Sequence, residues 1–510
     1  MIIAGVGQAT RIRGAMKHIV GQLWNWSALA MALLVVATPV VARNGARTTP
    51  DRVEPGLQGE QIASDKPGSV LPVPYSKGVR VIGHDPIEGR DSNVQLAWVD
   101  HCAYASSTAG PFPLIGTMKG DPALTGVAVI NVSDPSRPRT VRRLRDKGSI
   151  AAVETISAVT APDGRRVLAA GAYHGGANTA GTSGSSKSDP TAGSAWLNIY
   201  DVSDCANPKL MAEVAWPENS HTLTISPDGR TVYGTAMSPF TGAGGLQVMD
   251  ITDLRHPRFV GKFGVTRSDG SSFEFAAHEI SFSADGRRIY AGVNASKSDD
   301  LNRGIPIMPP SALALGPGGG GVFILDNSDF VDKKPDPELR LISALPAAGW
   351  HSVVPARIGG VAHLVGGSEL IACPGTWPKI SNIADETRPA IVGEFRLAMN
   401  KVENCPAGTP AEGQPRSIVP PPGSAALHYN DVDSRIDTRL GLFNFMWAGL
   451  RIADLRNPRE PREVAYFKPG DVCTGHVRYV PGSGNIWLLC QASGFWVLRL
   501  KPDVARPFRR

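Results

Sequence analysis

A strand-and-turn phrase recurs along the 510-residue chain and constrains its fold more than any other feature. Each copy has an apolar, alternating strand, then Asp (in most copies) and a turn that usually contains Pro, then a second strand. The copies are GVAVINVSDPSRPRTVRRL (126–144), LNIYDVSDCANPKLMAEV (197–214), LQVMDITDLRHPRFVGKF (246–263), GVFILDNSDFVDKKPDPELRLI (321–342), a degenerate PKISNIADETRPAIVGEF (378–395), LRIADLRNPREPREVAYF (450–467) and a truncated FWVLRLKPD (495–503). Such self-similarity indicates a repeat architecture.

A second phrase precedes several copies and supplies a tight turn between two further strands. It reads HTLTISPDGRTVYGTA from His221, HEISFSADGRRIYAGV from His278 and, without the histidine, ISAVTAPDGRRVLAAGA from Ile156. Asp-Gly between such runs is a β-hairpin signal. Together the two phrases give four antiparallel strands per unit in seven units, which predicts an all-β chain folded as a single seven-bladed β-propeller.

The two ends of the repeat array are complementary. The last unit lacks its outer strand, and an isolated strand, GVRVIGH (78–84), precedes the first unit. We expect this N-terminal strand to complete the last blade, because closure removes a free sheet edge. The predicted organisation is a signal peptide at 1–42, a flexible lead-in at 43–77, the propeller at 78–503 and a tail at 504–510.

These phrases also carry a family resemblance. The pattern Leu/Val-x-Ile/Val-x-Asp-Val/Ile-Ser/Thr-Asp-x-x-x-Pro resembles the LVIVD-repeat family, and SPDGRTVY is similar to YVTN-type propeller repeats. The resemblance covers nearly all of the chain after the predicted signal peptide. It implies a propeller in an exported protein and says little about activity.

The N-terminal segment has the features of an export signal. Arg11, Arg13 and Lys17 precede an apolar run, Ala28–Ala42, which ends in small residues suited to cleavage after Ala42. The alternative is an uncleaved membrane anchor. The sequence therefore predicts a periplasmic or secreted protein with no membrane span after signal cleavage.

Charge argues against a nucleic-acid partner. The formal net charge is +6, and cleavage after residue 42 removes three basic and no acidic side chains, which leaves +3. No run of Lys or Arg forms a basic patch of the kind that binds nucleic acid.

The cysteines fit export as well. All six lie beyond residue 42, and an even number in an exported chain favours disulfides. In CTGHVRYVPGSGNIWLLC a hairpin places Cys473 opposite Cys490, either as a disulfide or as two buried thiols.

Five of the seven units place a histidine at the start of the innermost strand, and these are His221, His278, His351, His428 and His476. The second unit has Ile156 at the aligned position with Glu154 nearby, and the first has Asn93-Val94-Gln95. Innermost strands surround the channel of a propeller, so the five imidazoles are predicted to converge as ligands of a transition metal such as copper, iron or zinc. The alternative is a structural role, with each imidazole bonded to a neighbouring blade.

Other polar residues receive weaker predictions. Glu279 follows His278 and is expected to point the opposite way, toward the blade interior or interface. His84, His101 and His174 are interpreted as surface histidines. Three long insertions are candidate lids or partner surfaces, with disordered decoration as the alternative, and they span 173–195, 294–321 and 398–425.

The sequence supports two functions of different class. The favoured hypothesis is an exported propeller that binds a small-molecule ligand or a cell-envelope protein through its channel mouth and long loops. The alternative is a metal-dependent enzyme, above all an oxidoreductase, that uses the ring of histidines. The sequence has no phosphate-binding loop, nucleophile elbow or Cys-x-x-Cys-His haem motif that would identify a class of enzyme. The separations between the imidazole nitrogens of the five histidines are therefore needed to distinguish the two hypotheses.

Overall fold

Seven sheets, whose main strands pair antiparallel, follow one another along the chain, as the repeats predict. The computed structural model describes residues 75–108, 121–173, 196–218, 220–238, 243–296, 321–347, 350–367, 377–397, 427–446 and 448–509. The sheets are the blades of a seven-bladed β-propeller, which confirms the predicted fold class.

Two strands precede the first blade, β1 (Tyr75–Lys77) and β2 (Val79–Asp85). The strands of each blade are given from the central axis outward. Blade 1 consists of β3 (Asn93–Val99), β4 (Cys102–Ser107), β5 (Val127–Asn131) and β6 (Arg139–Leu144), and blade 2 of β7 (Ile156–Thr160), β8 (Arg166–Gly171), β9 (Trp196–Asp201) and β10 (Lys209–Ala215). Blade 3 consists of β11 (Leu223–Ile225), β12 (Thr231–Ser238), β13 (Ala243–Asp250) and β14 (Arg258–Phe263).

Blade 4 is wider than the others because a short hairpin extends its outer edge. The hairpin strands are β15 (Val265–Thr266) and β16 (Ser272–Phe273), and the main strands are β17 (Phe275–Phe282), β18 (Arg288–Ser296), β19 (Gly321–Asp326) and β20 (Arg340–Pro346).

Blades 5 to 7 complete the ring. Blade 5 consists of β21 (Ser352–Ile358), β22 (Val361–Gly367), β23 (Lys379–Asn382) and β24 (Ala390–Glu394), and blade 6 of β25 (Leu427–Val432), β26 (Leu440–Phe445), β27 (Gly449–Asp454) and β28 (Arg462–Lys468). Blade 7 contains β29 (Val477–Val480), β30 (Asn485–Cys490) and β31 (Gly494–Leu500). The described helices are short, namely α1 (Lys147–Ile150), α2 (Ser328–Val331), α3 (Pro502–Ala505) and the 3-10 turns Ile87–Gly89, Pro122–Leu124 and Arg506–Phe508.

Strand β2 closes the ring. It pairs antiparallel with β31, from Val79 opposite Leu500 to Asp85 opposite Phe495, and so supplies the outer strand of blade 7. The end of the predicted flexible lead-in is also ordered, because β1 pairs with β28 as a fifth strand of blade 6.

The turns follow from the repeated phrases. In the hairpins between the first and second strands, Gly229 and Gly286 adopt φ values of +68° and +74°, which L side chains rarely adopt. Between the third and fourth strands the recurring Asp caps the turn: Asp201 Oδ1 accepts from the backbone N–H of Ser203 at 2.8 Å, and Asp250 from that of Thr252 at 2.9 Å. We call the first set the inner hairpins, and the face of the propeller they form the hairpin face.

Apolar side chains fill the spaces between blades. Among the described residues, one buried cluster lies at each of the seven blade–blade interfaces. Large side chains such as Trp350, Tyr233 and Phe323 are fully buried there, and each contributes about 1.5–3 kcal/mol by leaving water. The hydrophobic core is thus a ring of interfaces, which leaves the central axis to polar side chains.

Two disulfides connect described residues. The predicted pair, Cys473–Cys490, is confirmed and joins the approach to β29 with the end of β30. A second bond, Cys102–Cys205, ties β4 of blade 1 to a turn of blade 2, and Cys373 and Cys405 lie outside the described residues. Within the described part of the chain, no helix has the length and apolarity needed to cross a membrane.

Candidate metal centre

Four of the five predicted histidines lie against one carboxylate on the central axis. Glu154, between α1 and β7, has its Oε2 atom 3.3 Å from Nε2 of His221 and 3.9 Å from Nε2 of His278. Its Oε1 atom is 3.1 Å from Nε2 of His428. The ring of His351 lies 3.6 Å from that of His278 and 4.5 Å from that of His428, centroid to centroid. We call these five residues, one from each of blades 2 to 6, the central cluster.

The central cluster is buried. The exposed fraction is 2% for Glu154, 6% for His221 and 0% for the other three histidines. Burying a carboxylate is costly unless a cation or hydrogen-bond donors balance it. Four imidazoles and a carboxylate together form a site that suits a cation.

The donor atoms form two overlapping triads. Glu154, His221 and His278 make up one, and Glu154, His351 and His428 the other, and within each triad the donor atoms lie within 4.8 Å of one another. Ligands at about 2.0–2.2 Å from one metal ion lie no more than about 4.4 Å apart, so small side-chain adjustments bring each triad within reach of one ion.

Backbone contacts orient the imidazoles. The N–H groups of His221 and His351 donate to the carbonyl oxygens of Thr235 and Gly367, at 2.8 and 2.7 Å, which fixes each residue just before its strand. The Thr222 hydroxyl donates to the carbonyl oxygen of His278 at 2.6 Å and ties blade 3 to blade 4.

His428 shows most clearly what the cluster requires. Its Nδ1 atom contacts the carbonyl oxygen of Thr474, which can only accept, so Nδ1 carries the proton. In the neutral ring Nε2 then holds a lone pair, and this lone pair faces the Glu154 carboxylate. Two acceptors in this position are stabilised by a cation between them, either a proton or a metal ion.

The surroundings of His351 disfavour its protonated form. Its pKa lies well below the ordinary value of 6.5, first because burial disfavours the imidazolium and then because of repulsion by His278, His428, His221 and His476. A neutral imidazole with an available lone pair is the form that binds metals.

Local bulges re-aim side chains toward the axis. Strand β17 shifts register between Ala277 and Ile280, and β25 shifts between Leu427 and Tyr429. A bulge interrupts the alternation of a strand, so successive residues can face the same side. The expectation that Glu279 points away is wrong, because its Oε1 atom lies 3.1 Å from Nε2 of His476 in blade 7.

The fifth predicted ligand, His476, stands apart from the central cluster. Besides Glu279, it contacts the ring of Tyr429 at a centroid distance of 3.7 Å. Its side chain is 22% exposed and that of Glu279 14%, so this pair is closer to solvent than the cluster. We call His476 and Glu279 the outer pair.

Tyr429 lies between the central cluster and the outer pair. Its ring is 4.4 Å from that of His428 and 4.8 Å from that of His351. Gln95 of blade 1 donates from Nε2 to the Tyr429 hydroxyl at 3.4 Å, while its Oε1 accepts from the backbone N–H of Ile156 at 3.1 Å. Blades 1, 6 and 7 thus border the cluster with an amide, a phenol and an imidazole, respectively.

The remaining sequence predictions have mixed outcomes. His84 is half-buried and stacks on Trp496 at 3.9 Å, so it is not a surface residue. His101 is exposed, with Nε2 3.6 Å from Sγ of Cys205. His174 and nearly all of the three long insertions lie outside the described residues.

Comparison with known proteins leaves the family open. No protein-family model and no curated protein matches the chain. Similar solved structures include the periplasmic gluconolactonase PpgL of Pseudomonas aeruginosa, with a TM-score of 0.49 and 15% identity over 74% of this chain and 89% of that one. Sqt1 of Chaetomium thermophilum has a TM-score of 0.49 and 12% identity over 82% and 99%, and a chain of the mitotic checkpoint complex 0.44 and 11% over 88% and 96%. Similarity this distant carries no information about activity.

Proposed function

We propose that this chain is an exported LVIVD-repeat propeller with a transition-metal centre, and that it acts as a metal-dependent oxidoreductase. The observation that carries the proposal is the Glu154 carboxylate, which faces Nε2 atoms of His221, His278 and His428 in a buried site. A binding propeller with structural histidines has no need to direct one buried carboxylate at three imidazole nitrogens.

The donor set indicates the kind of metal. Imidazole and carboxylate ligands together suit copper, iron and zinc, and do not suit calcium or magnesium, which prefer oxygen ligands alone. Copper and iron change oxidation state, which is the chemistry such a centre would supply to an oxidoreductase.

The arrangement of blades supports catalysis rather than a closed structural site. The donors come from consecutive blades 2 to 6, whereas the described residues of blades 7 and 1 bring His476 and Gln95 to the other side. Catalytic metal sites keep one coordination position open for water or substrate. If a metal ion is bound, the proposed open position would lie on the side of Tyr429, whose hydroxyl accepts from Gln95 Nε2 at 3.4 Å.

Export is supported by independent features. The N-terminal segment has a basic start, an apolar run and small residues before the proposed cleavage point at Ala42. Two disulfides join described residues, as is typical of proteins in oxidising compartments.

Metal analysis of matched variants tests the proposal. The protein is exported to a bacterial periplasm and purified without chelator, and its metal content is measured by mass spectrometry beside Glu154→Gln and His278→Ala. We expect near-stoichiometric copper, iron or zinc in the unsubstituted protein and its loss in both variants. The control is His363→Gln, since His363 is buried in β22 and bonds to the carbonyl oxygen of Val361, away from the cluster.

The contrary result is equally clear. If the unsubstituted protein carries no metal after export or after reconstitution, and the cluster variants only lower its melting temperature, the metal proposal fails. The histidines are then structural, and the favoured sequence hypothesis of a ligand- or partner-binding propeller takes its place.

A further inference from the structure

We propose that substrate reaches the central cluster through the channel from the hairpin face, and that this route admits small polar molecules rather than long apolar chains. The inference rests on the proposed metal centre, because it concerns how a molecule reaches that centre. It concerns residues of the channel wall that the proposed chemistry does not use.

The first observation is the direction in which exposure rises along the innermost strands. In β7 the start is buried at Ile156, the middle is half-buried and the end is exposed at Thr160. In β29 the first residue is buried and the next three are half-buried. At the starts of these strands lies the central cluster, so the cluster occupies the buried end and solvent reaches the axis from the hairpin face.

The second observation is that the half-buried positions occur at alternate residues. In β17 they are Glu279 and Ser281, and in β11 the middle residue Thr224 lies between two buried neighbours. In β25 the half-buried position is Asp431 and in β3 it is Trp98. Alternate residues of a strand share one face, so these partly exposed positions recur beside the axis and form a wall that is partly open to solvent.

Charged side chains are prominent along this wall. Glu279 and Asp431 supply carboxylates, and the half-buried Arg478 of β29 adds a guanidinium, which lies over the rings of Trp98 and Trp487. Apolar residues such as Val159 and Pro355 occupy other half-buried positions. A long hydrocarbon gains nothing from desolvating such groups, whereas a small molecule with hydrogen-bonding groups can replace their water.

The inner end of this route is the outer pair. His476 and Glu279 come from blades 7 and 4, on opposite sides of the ring, and meet at 3.1 Å across the axis. Tyr429 lies directly behind them, against His351 and His428. A molecule that enters from the hairpin face therefore passes the outer pair before it reaches the open side of the metal site.

The test blocks the channel with a bulky side chain and follows access by a small ligand. Cu(II) is loaded into the protein because imidazole and carboxylate sites bind it most strongly among divalent first-row metals. The rate of azide binding is then followed through the azide-to-copper absorption band. The blocking variants are Ser281→Trp and, on a neighbouring blade, Thr224→Trp. The control is Ser272→Trp, an exposed position on the outer hairpin of the same blade as Ser281.

We expect both blocking variants to bind one copper per chain and to slow azide binding by about tenfold or more, as a narrowed gate does, while Ser272→Trp matches the unsubstituted protein. Formate should compete with azide and octanoate should not. Unchanged azide rates in both blocking variants with copper bound would overturn the route, and equal competition by octanoate would overturn the preference for small polar molecules. A failure of the unsubstituted protein to bind copper or any other transition metal would instead overturn the metal centre itself.

Discussion

At the scale of single residues, Glu154 determines the character of the cluster. Without it, four buried imidazoles would remain, in contact through tilted or edge-on rings at 3.6–4.5 Å and through the hydrogen bond between Nε2 of His221 and Nε2 of His278 at 2.5 Å. With it, a carboxyl group lies 3.1–3.9 Å from three imidazole nitrogens, and this donor set suits a transition metal. Glu154 belongs to one of the two units without an aligned histidine, where it lies two positions before Ile156.

The contacts of His476 assign it to the channel wall rather than to the metal ligands. Because its imidazole contacts Glu279 and Tyr429 rather than Glu154, we expect His476→Ala to keep its metal, in contrast to His278→Ala. Mass spectrometry of chelator-free protein measures this directly. Loss of metal from His476→Ala at an unchanged melting temperature would place His476 among the ligands, as the sequence predicted.

Asp471 gives a pH dependence with a defined sign. Burial raises its pKa from 3.8 to about 6, although the backbone N–H groups of Ala492 and Ser493 donate to it at 2.8 and 2.6 Å. Between about pH 4 and 6 the folded chain therefore holds a proton that the unfolded chain releases. The free energy of unfolding should fall as the pH rises through this interval and then level off.

Asp471→Asn removes the titrating group, so the difference between the two proteins isolates its effect. We expect the unsubstituted protein to lose on the order of 1–2 kcal/mol relative to Asp471→Asn between pH 4 and 6.5, after allowing for partial exposure of the side chain. Urea unfolding at several pH values measures this difference. Parallel pH profiles for the two proteins would contradict the assignment.

At the scale of elements, the disulfide Cys473–Cys490 supports the cluster as well as blade 7. It closes a loop of 17 residues, and the chain-entropy argument assigns such a loop about 3 kcal/mol. The neighbouring Thr474 presents the carbonyl oxygen that holds Nδ1 of His428. We expect Cys473→Ala/Cys490→Ala to lower both the melting temperature and metal occupancy at 25 °C.

The other disulfide supplies the control for this prediction. Cys102→Ala/Cys205→Ala removes a link between blades 1 and 2 and leaves the contact between His428 and Thr474 intact. It should lower the melting temperature and keep the metal. Retention of metal by the Cys473→Ala/Cys490→Ala protein would show that Thr474 is held by the rest of blade 7.

Elements also mark the limit of what the sequence predicts. The repeated phrases predict the strands, the hairpin turns and the ring, because strand alternation and turn residues are local signals. They also predict that the aligned histidines converge, and four of them lie together in the cluster, since aligned positions of a repeat occupy equivalent places. Bulges at His278–Glu279 and near His428 leave no such signal, so the inward turn of Glu279 and the position of Tyr429 follow only from the three-dimensional structure.

At the scale of the whole molecule, stability depends on closing the ring. Strand β2 covers the outer edge of β31, and Val79 is buried between blades 6 and 7. Removing residues 1–85 would expose that edge and is expected to cost much of a net stability that is only about 5–15 kcal/mol in most proteins. We expect this truncation to aggregate, as measured by size-exclusion chromatography.

The control keeps both N-terminal strands. Removal of residues 1–74 retains β1 and β2 with their pairings, so this protein should remain monodisperse with the melting temperature of the chain that begins after residue 42. A soluble, cooperatively unfolding protein without residues 1–85 would show that six blades and an incomplete seventh suffice.

The pairing of β2 with β31 is delayed until almost the whole chain has been synthesised. The contact between His84 and Ser493 joins residues 409 positions apart. A ribosome that adds about 5–20 residues per second needs roughly 20–80 s to cover that distance, so β2 has no partner while most of the chain is being made. Its charged side chains, among them Arg80 and Asp85, disfavour pairing with strands of other chains during this interval. The first long strand of the propeller to be synthesised is therefore among the last to be paired.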